Sequence, residues 1–145
     1  DLSEAALKVA AHNAAVLGSN GITDAMDITF LQSNLFEKVD GKFDIIVSNP
    51  PYIESEVIET LDREVREHEP MSALDGGADG LDFYRRISEE ARAYLSRGGM
   101  IFYEIGYNQA EDVADILRRN GYIDIVVKKD LAGLDRVVYA TYLED

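Results

Sequence analysis

The feature that most constrains the fold is an apolar run that ends in a pair of prolines. Four of the five residues in Phe43–Val47 are apolar, which is typical of a strand buried on both faces of a parallel sheet. The run continues into Ser48–Tyr52, where Pro50 and Pro51 each lack a backbone N–H and have a fixed φ. The sequence therefore predicts a strand followed by a stiff turn. In open α/β sheets, ligands bind at this end of the strands.

The remaining apolar periodicity predicts an alternation of helices and strands. Such an order implies an α/β fold with a mostly parallel sheet and helices on both faces. No helical pattern separates the last two strands, so we expect them to be antiparallel neighbours. In a single domain over residues 1–145, the predicted elements are a helix capped by Ser3 and ended by Gly18 and Gly21, strands at Ile28–Leu31 and Phe43–Val47, a helix at Leu81–Arg97, a strand at Met100–Ile105, a helix at Ala110–Leu117, and strands at Ile123–Val127 and Arg136–Tyr142.

The composition excludes several classes of site. The chain of 145 residues has no cysteine, which removes disulfides, zinc–thiolate sites, iron–sulfur clusters and cysteine nucleophiles. Its two histidines argue against a His-rich metal site, and its net charge of −14 argues against a broad nucleic-acid-binding surface. We find neither a signal-peptide pattern nor an apolar run near the roughly 20 residues of a membrane helix. We therefore expect a cytoplasmic protein with no bound metal and no membrane contact.

The turn after the apolar strand carries the chemistry. The Asn49 side-chain oxygen and the Pro50 carbonyl can accept both hydrogens of one planar –NH2 group, while Tyr52 stacks on its plane. Such a nitrogen is a poor nucleophile because its lone pair is delocalised. Two fixed acceptors hold it in line with an electrophilic methyl group and stabilise the positive charge that develops on nitrogen. The pattern therefore predicts methylation of an amide or of an aromatic amine.

These residues belong to a wider resemblance. The sequence is similar, over essentially its whole length, to the catalytic domain of the HemK/PrmC family, which methylates a glutamine side chain in peptide chain release factors. The Asn-Pro-Pro-Tyr motif alone does not identify the family, because DNA adenine and some RNA guanine methyltransferases share it. The segments Glu69–Leu81 and Asp130–Val137 are what make the sequence resemble the HemK/PrmC family in particular. The other matching positions are Asp1–Ser3, Ala6-Leu7, Asn13-Ala14, Val47–Ile53, and Glu104–Gly106 with Gln109.

The resemblance implies a class I, Rossmann-like methyltransferase fold and a role for each residue of the turn. Asn49 and the Pro50 carbonyl would hold the substrate glutamine amide, and Tyr52 would pack on it, so these three form the expected catalytic set. Pro51 would complete the substrate-binding turn. Glu69, in the loop that follows, would order that loop or touch the substrate.

The implied cofactor is S-adenosylmethionine. Asp1, followed by Leu2, stands where the family has an acid that binds the ribose hydroxyls. Asn34-Leu35 stands where many relatives have an aspartate and an apolar residue beside the adenine, so that Asn34 keeps an acceptor but loses the charge. Asn49 would border the donor as well as the substrate.

The resemblance also implies that part of the family's domain lies upstream of Asp1. The glycine-rich donor loop, the first strand and most of the second have no counterpart in the chain, so the N-terminal strands are expected to be truncated. We therefore expect these 145 residues to be inactive alone and to self-associate through exposed sheet edges.

Two other functions fit the same residues. A nucleic-acid amino-methyltransferase, acting on adenine N6 or guanine N2, would use the same turn on a flipped base. A non-catalytic domain would keep the fold and bind a partner. The acidic charge argues against the first, and the intact Asn49–Tyr52 turn argues against the second.

Overall fold

The computed structural model describes residues 1–19, 27–62 and 70–143 of the chain. The chain divides into two compact units, Asp1–Gly41 and Lys42–Asp145. The single domain expected over residues 1–145 stays a prediction. Within the described ranges, no helix is long and apolar enough to cross a membrane.

The first unit contains one long helix, α1, at Glu4–Ser19. Its first turn is capped as the sequence predicted, because the Ser3 hydroxyl accepts a hydrogen bond from the Ala6 N–H at 3.2 Å. Glu4 favours the helix dipole in the same turn and forms an ion pair with Lys8 at 2.9 Å. The helix continues through Gly18, which was expected to end it, and Gly21 lies outside the described residues.

The strand predicted at Ile28–Leu31 is not formed. Strand-forming side chains need a neighbouring strand whose backbone pairs with theirs over several residues. Within the described part of this unit, the backbone near Ile28–Leu31 forms main-chain hydrogen bonds only with Asp1. The Asp1 carbonyl accepts from the Ser33 N–H at 3.0 Å, and the Asp1 amino group donates to the Leu31 carbonyl at 3.1 Å. Two hydrogen bonds at one residue do not make a strand.

The second unit is built on a four-stranded sheet with the spatial order β1-β2-β4-β3. β1 and β2 are parallel, whereas β4 is antiparallel to both β2 and β3. Three strands therefore run in one direction and the last runs against them, which confirms the predicted mostly parallel sheet and its antiparallel final strand. The elements are β1 Phe43–Ser48, α2 Ser55–Ile58, α3 Met71–Leu74, α4 Asp82–Glu90, a 3-10 turn Ala91–Ala93, β2 Leu95–Glu104, α5 Ala110–Arg119, β3 Tyr122–Lys129 and β4 Asp135–Tyr142.

The helix predicted at Leu81–Arg97 is shorter than expected. Its buried face is correct, since Tyr84, Ile87 and Ala91 are at most 2% exposed. However, the chain joins the sheet at Leu95, three residues before the two glycines that were expected to end the helix. These glycines instead lie within β2, where the pairing with β1 changes register.

One face of this sheet is closed by α4 and α5. The side chains that point to it are fully buried, at 0% exposure for Ile101, Tyr103, Ile105, Val138 and Ala140. The prediction that β1 is buried on both faces is wrong, because Phe43, Ile45 and Val47 are 40%, 58% and 75% exposed. Their side chains alternate to the other face of the sheet, which α4 and α5 do not cover.

Candidate active site

The Asn49–Tyr52 turn lies where two parallel strands end together. β1 ends at Ser48, which is paired with Tyr103 of β2. The turn therefore begins beside Glu104, the last residue of β2. The carboxyl ends of neighbouring parallel strands form the edge at which α/β proteins place their ligands. The structure thus puts the predicted turn where the chemistry requires it.

The two predicted acceptors of the turn differ in burial. Asn49 is exposed and Pro50 is buried. Among the described residues, neither the Asn49 side chain nor the Pro50 carbonyl takes part in a hydrogen bond. Both groups therefore keep their capacity to accept from a ligand.

A cavity of about 460 Å³ opens beside Asn49. Its walls combine a few polar groups with a larger apolar surface, as ligand sites commonly do. The polar groups include Glu104, which lies within reach of the same space as Asn49. The apolar lining comes from Ile45, Val47, Phe102 and Val137.

Tyr52 is half-buried against the end of β2. A Cβ atom added to Gly106 would lie 3.4 Å from the Tyr52 ring, so the ring packs on the backbone there. The Tyr52 carbonyl accepts a hydrogen bond at 3.0 Å from the amide nitrogen of Gln109. The tyrosine is therefore fixed at both its ring and its backbone.

The residues after the turn are bound to the loop around Gly76. Ile53 donates to the Leu74 carbonyl at 3.1 Å, and its own carbonyl accepts from the Gly76 N–H at 2.8 Å. The Ser55 hydroxyl donates to Asp75 at 2.7 Å. This hydroxyl, together with the Gly77 N–H, lowers the pKa of Asp75. The loop around Gly76 is thus attached directly to the residues that follow the Asn49–Tyr52 turn.

Two glycines permit this close approach. A Cβ atom on Gly76 would lie 2.8 Å from the Tyr52 Cα, and one on Gly80 would lie 2.4 Å from the Tyr52 carbonyl oxygen. Gly80 also has a φ of +71°, a conformation that other residues rarely adopt. Glycine is therefore required at both positions for the loop to close on the turn.

Tyr84 supports the end of β2 from the covered face. Its hydroxyl donates to the Glu104 carbonyl at 2.9 Å, and its ring meets that of Tyr103 edge to face at 5.2 Å between centroids. Burial raises the pKa of Tyr84 well above its ordinary value, and negative charge on Tyr52 or Glu104 would raise it further. Tyr84 is therefore a neutral hydrogen-bond donor beneath the site.

A family model described as Eco57I restriction-modification methylase matches residues 11–129 of the chain. The chain belongs to this methylase family. It is also 47% identical over 138 residues to a release factor glutamine methyltransferase from Agrobacterium fabrum, an alignment that covers 95% of this chain and 46% of the relative. A protein of the same name from Fusobacterium nucleatum is 44% identical, covering 97% of this chain and 38% of the relative. These relatives confirm the resemblance to the HemK/PrmC family.

The chain spans less than half the length of these two curated relatives. Among solved structures, it is similar to a ribosomal protein L11 methylase from Lactobacillus delbrueckii subsp. bulgaricus. That match has a TM-score of 0.62 and 23% sequence identity, and it covers 99% of this chain and 56% of that chain. The similarity confirms the class I, Rossmann-like methyltransferase fold.

Four of the residues predicted to bind the cofactor lie in the first unit of the chain. The Ser33 N–H donates to the Asp1 carbonyl, which brings Asp1 beside Asn34 although 33 positions separate them in the sequence. Oδ1 of Asp1 accepts from the Ser3 N–H at 2.7 Å, and the Asn34 amide donates to Glu37 at 2.8 Å. Leu2 is 62% exposed, and Leu35 is half-buried with a φ of 51°.

Two further residues, Glu69 and Gln109, bear on the site that the sequence predicts. Glu69 lies outside the described residues, so its predicted substrate role stays a prediction. Gln109 has no predicted role beyond its match to the family, yet it is 7% exposed and its side chain is hydrogen-bonded to the Tyr52 carbonyl. The sequence signal for this role is a glutamine that lies between Gly106 and the amphipathic helix α5. Among the described residues, no group of three His, Asp or Glu side chains is placed to hold a metal ion.

Proposed function

We propose that this chain is part of an enzyme that transfers a methyl group from S-adenosylmethionine to the side-chain amide nitrogen of a glutamine in peptide chain release factors. The observation that carries the proposal is the Asn49–Tyr52 turn at the end of β1. Its two acceptors make no hydrogen bond among the described residues, and Asn49 lines a cavity of about 460 Å³. The names of the relatives support the choice of glutamine and of release factors.

The turn suits an amide nitrogen because it offers acceptors and no strong base. Oδ1 of Asn49 and the Pro50 carbonyl each accept one hydrogen of the –NH2 group, which fixes the plane of the amide. The same two oxygens stabilise the positive charge that grows on nitrogen as the methyl group arrives. The proton passes to water afterwards, when the nitrogen has become acidic. Tyr52 and Pro51 border the amide.

S-adenosylmethionine supplies the methyl group as an electrophilic sulfonium whose leaving group is a neutral thioether. Asp1, Leu2, Asn34 and Leu35 are the residues proposed to hold it, together with Asn49. The chemistry of this set fits the donor. Asp1 uses Oδ1 within its own turn, and its second carboxylate oxygen makes no hydrogen bond with a described residue. That oxygen suits a ribose hydroxyl, while Leu2 and Leu35 offer apolar contacts.

A nucleic-acid substrate is the second candidate, because the matching family model is described as a restriction-modification methylase. A base amino group has the same planar –NH2 geometry as the glutamine amide. The net charge of −14 argues against this candidate, since affinity for nucleic acids depends largely on basic side chains. A release factor places no such demand on the chain. A cytoplasmic location follows from this substrate.

The test is the mass of a glutamine-containing release factor peptide after incubation with S-adenosylmethionine. The chain itself and a form extended upstream to include a glycine-rich donor loop are assayed side by side. We expect the extended form to add one methyl group to the glutamine and the chain alone to add none. Methylation by the chain alone would show that the expected donor loop is not needed.

A pair of asparagine variants identifies the site in the same assay. Asn49→Ala removes one of the two acceptors and should lower the rate of methyl transfer at least about 100-fold. Asn120→Ala is the matched control, because the Asn120 side chain bonds, among the described residues, only to the Ile116 carbonyl at the end of α5. It should leave the rate within about twofold, as is usual for changes away from a site. Methyl groups found on added DNA or RNA, and not on the peptide, would overturn the proposal in favour of the second candidate.

A further inference from the structure

One buried side chain joins the three segments that build the candidate site. Gln109 lies just before α5 and is 7% exposed. Its Nε2 donates to the carbonyl of Tyr52 at 3.0 Å and to that of Gly80 at 3.3 Å. Its Oε1 accepts from the Gly106 N–H at 3.0 Å. One amide thus connects the catalytic turn, the glycine loop and the end of β2.

The geometry points to Gln109 as a positioning residue that sets the place of the catalytic turn. By holding the Tyr52 carbonyl, it fixes the backbone two residues after the Pro50 carbonyl. Gln109 acts through Tyr52 and lies outside the set of residues that line the cavity. Its effect on methyl transfer rests on the proposed function, whereas its effect on the turn is a property of the fold alone.

A primary amide is required at this position. The site presents two carbonyl acceptors on one side and one N–H donor on the other, and only a carboxamide matches both. Glutamate would retain the acceptor for Gly106 but would direct a carboxylate oxygen at the Tyr52 and Gly80 carbonyls. Methionine has a similar shape but would leave all three backbone groups without this partner, and buried polar groups without a partner are destabilising.

The amide also has little freedom to move. A Cβ atom on Gly80 would lie 2.7 Å from Nε2 of Gln109, and one on Gly106 would lie 2.9 Å from its Oε1. The glycine backbones therefore press against the amide from two sides. Because the interior is close-packed here, a shift of Gln109 moves the turn with it.

The first arm of the test measures amide hydrogen exchange by NMR in the chain itself. Gln109→Met should speed exchange at Gly106, which loses its acceptor, and at Ile53, which follows Tyr52, each by at least about tenfold. Gln109→Glu, studied at pH 8, should speed exchange at Ile53 while Gly106 keeps its protection. If Gln109→Met fails to fold, Gln109→Glu provides the comparison at Ile53.

The second arm measures methyl transfer in the extended form. Gln109→Met should lower kcat about 10–100-fold, because a small displacement of a positioning group has an effect of that size. KM for S-adenosylmethionine should change less than about twofold, since the inference places Gln109 at the turn rather than at the donor. A purely structural role would lower the amount of folded enzyme and leave kcat per folded molecule unchanged.

The control variant is Asn120→Ala, which removes one amide hydrogen bond at the opposite end of α5. It should leave exchange at Ile53 and kcat unchanged. Unchanged exchange at Ile53 in folded Gln109→Met would overturn the inference. If the unmodified enzyme methylates no glutamine, the proposed function is wrong, and the exchange arm still decides whether Gln109 positions the turn.

Discussion

The two faces of the four-stranded sheet have the same apolar character and very different surroundings. On the face under α4 and α5, Ile101, Tyr103 and Val138 are all 0% exposed. On the opposite face, Ile45 is 58% exposed and Val47 is 75% exposed. Phe102 and Tyr139 stack there at 5.0 Å between ring centroids and are only half-buried.

The two faces of the sheet therefore have different roles. The covered face holds the strands in register through apolar packing and through the hydroxyl contact between Ser88 and Tyr103 at 2.9 Å. The open face supplies the apolar lining of the cavity beside Asn49. The apolar side chains on the two faces therefore stabilise the fold on one side and border the candidate site on the other.

The largest expected effect comes from one substitution made on each face. Val138→Ala removes two methyl groups from full burial and should lower the free energy of unfolding by about 2–3 kcal/mol, through lost transfer energy and a cavity. Val47→Ala removes the same groups from an exposed position and should cost less than about 1 kcal/mol. Urea unfolding of both variants measures the difference. Equal losses would show that the open face is covered in solution.

Removing a tyrosine hydroxyl from each face tests how much hydrogen bonding contributes to stability on the covered and the open face. Tyr103→Phe leaves the buried Ser88 hydroxyl without that partner and should cost about 1–2 kcal/mol. Tyr139→Phe should cost less than about 0.5 kcal/mol, because the Tyr139 hydroxyl makes no hydrogen bond among the described residues. Ser88→Ala combined with Tyr103→Phe should recover part of the loss, since both partners are then removed. A double variant that loses the sum of both single losses would contradict this account.

Self-association tests the open face itself. Exposed Ile45 and Val47 lie on an apolar strand at one end of the sheet order, so the predicted self-association would bury them. Val47→Lys should weaken that association at least about tenfold, or about 1.4 kcal/mol. Sedimentation equilibrium at several concentrations measures it, with Lys128→Glu as a charge-changing control on the far edge strand β3. A monomer at all concentrations in the unmodified chain would remove this prediction.

Several parts of the fold could be predicted because local chemistry decides them. The turn at Asn49 follows from two prolines after an apolar run, since neither proline can extend the strand's hydrogen bonding. The antiparallel pairing of the last two strands follows from the absence of a helix between them. The buried face of α4 follows from its apolar spacing, with Tyr84 and Ile87 one turn apart.

Other features of the fold depend on contacts between segments that are far apart in the sequence, which local sequence patterns do not reveal. An apolar run such as Phe43–Val47 indicates a strand but does not show which of its faces will be covered. Ile28–Leu31 has strand-forming side chains and lacks a paired strand among the described residues of its unit. The pair Gly98-Gly99 fits a helix end as well as an irregular strand, and only the pairing with β1 decides between them. Gln109 shows its importance only when segments far apart in the sequence meet.

The smallest expected effect is a loss of stability at alkaline pH, which is absent at neutral pH. Burial raises the pKa of Tyr84, Tyr103 and Tyr122, all on the covered face, above the ordinary value of about 10. The folded state therefore holds these protons more tightly than the unfolded state. The contribution of these three tyrosines to the free energy of unfolding is fully present below about pH 10. It falls as the pH rises further, because the three hydroxyls then ionise in the unfolded chain but not in the folded protein. Tyr103→Phe removes one of the three groups and should make the fall less steep. Urea unfolding at pH 8, 9, 10 and 11 measures both slopes, and identical slopes would show that Tyr103 ionises as easily in the folded protein as in the unfolded chain.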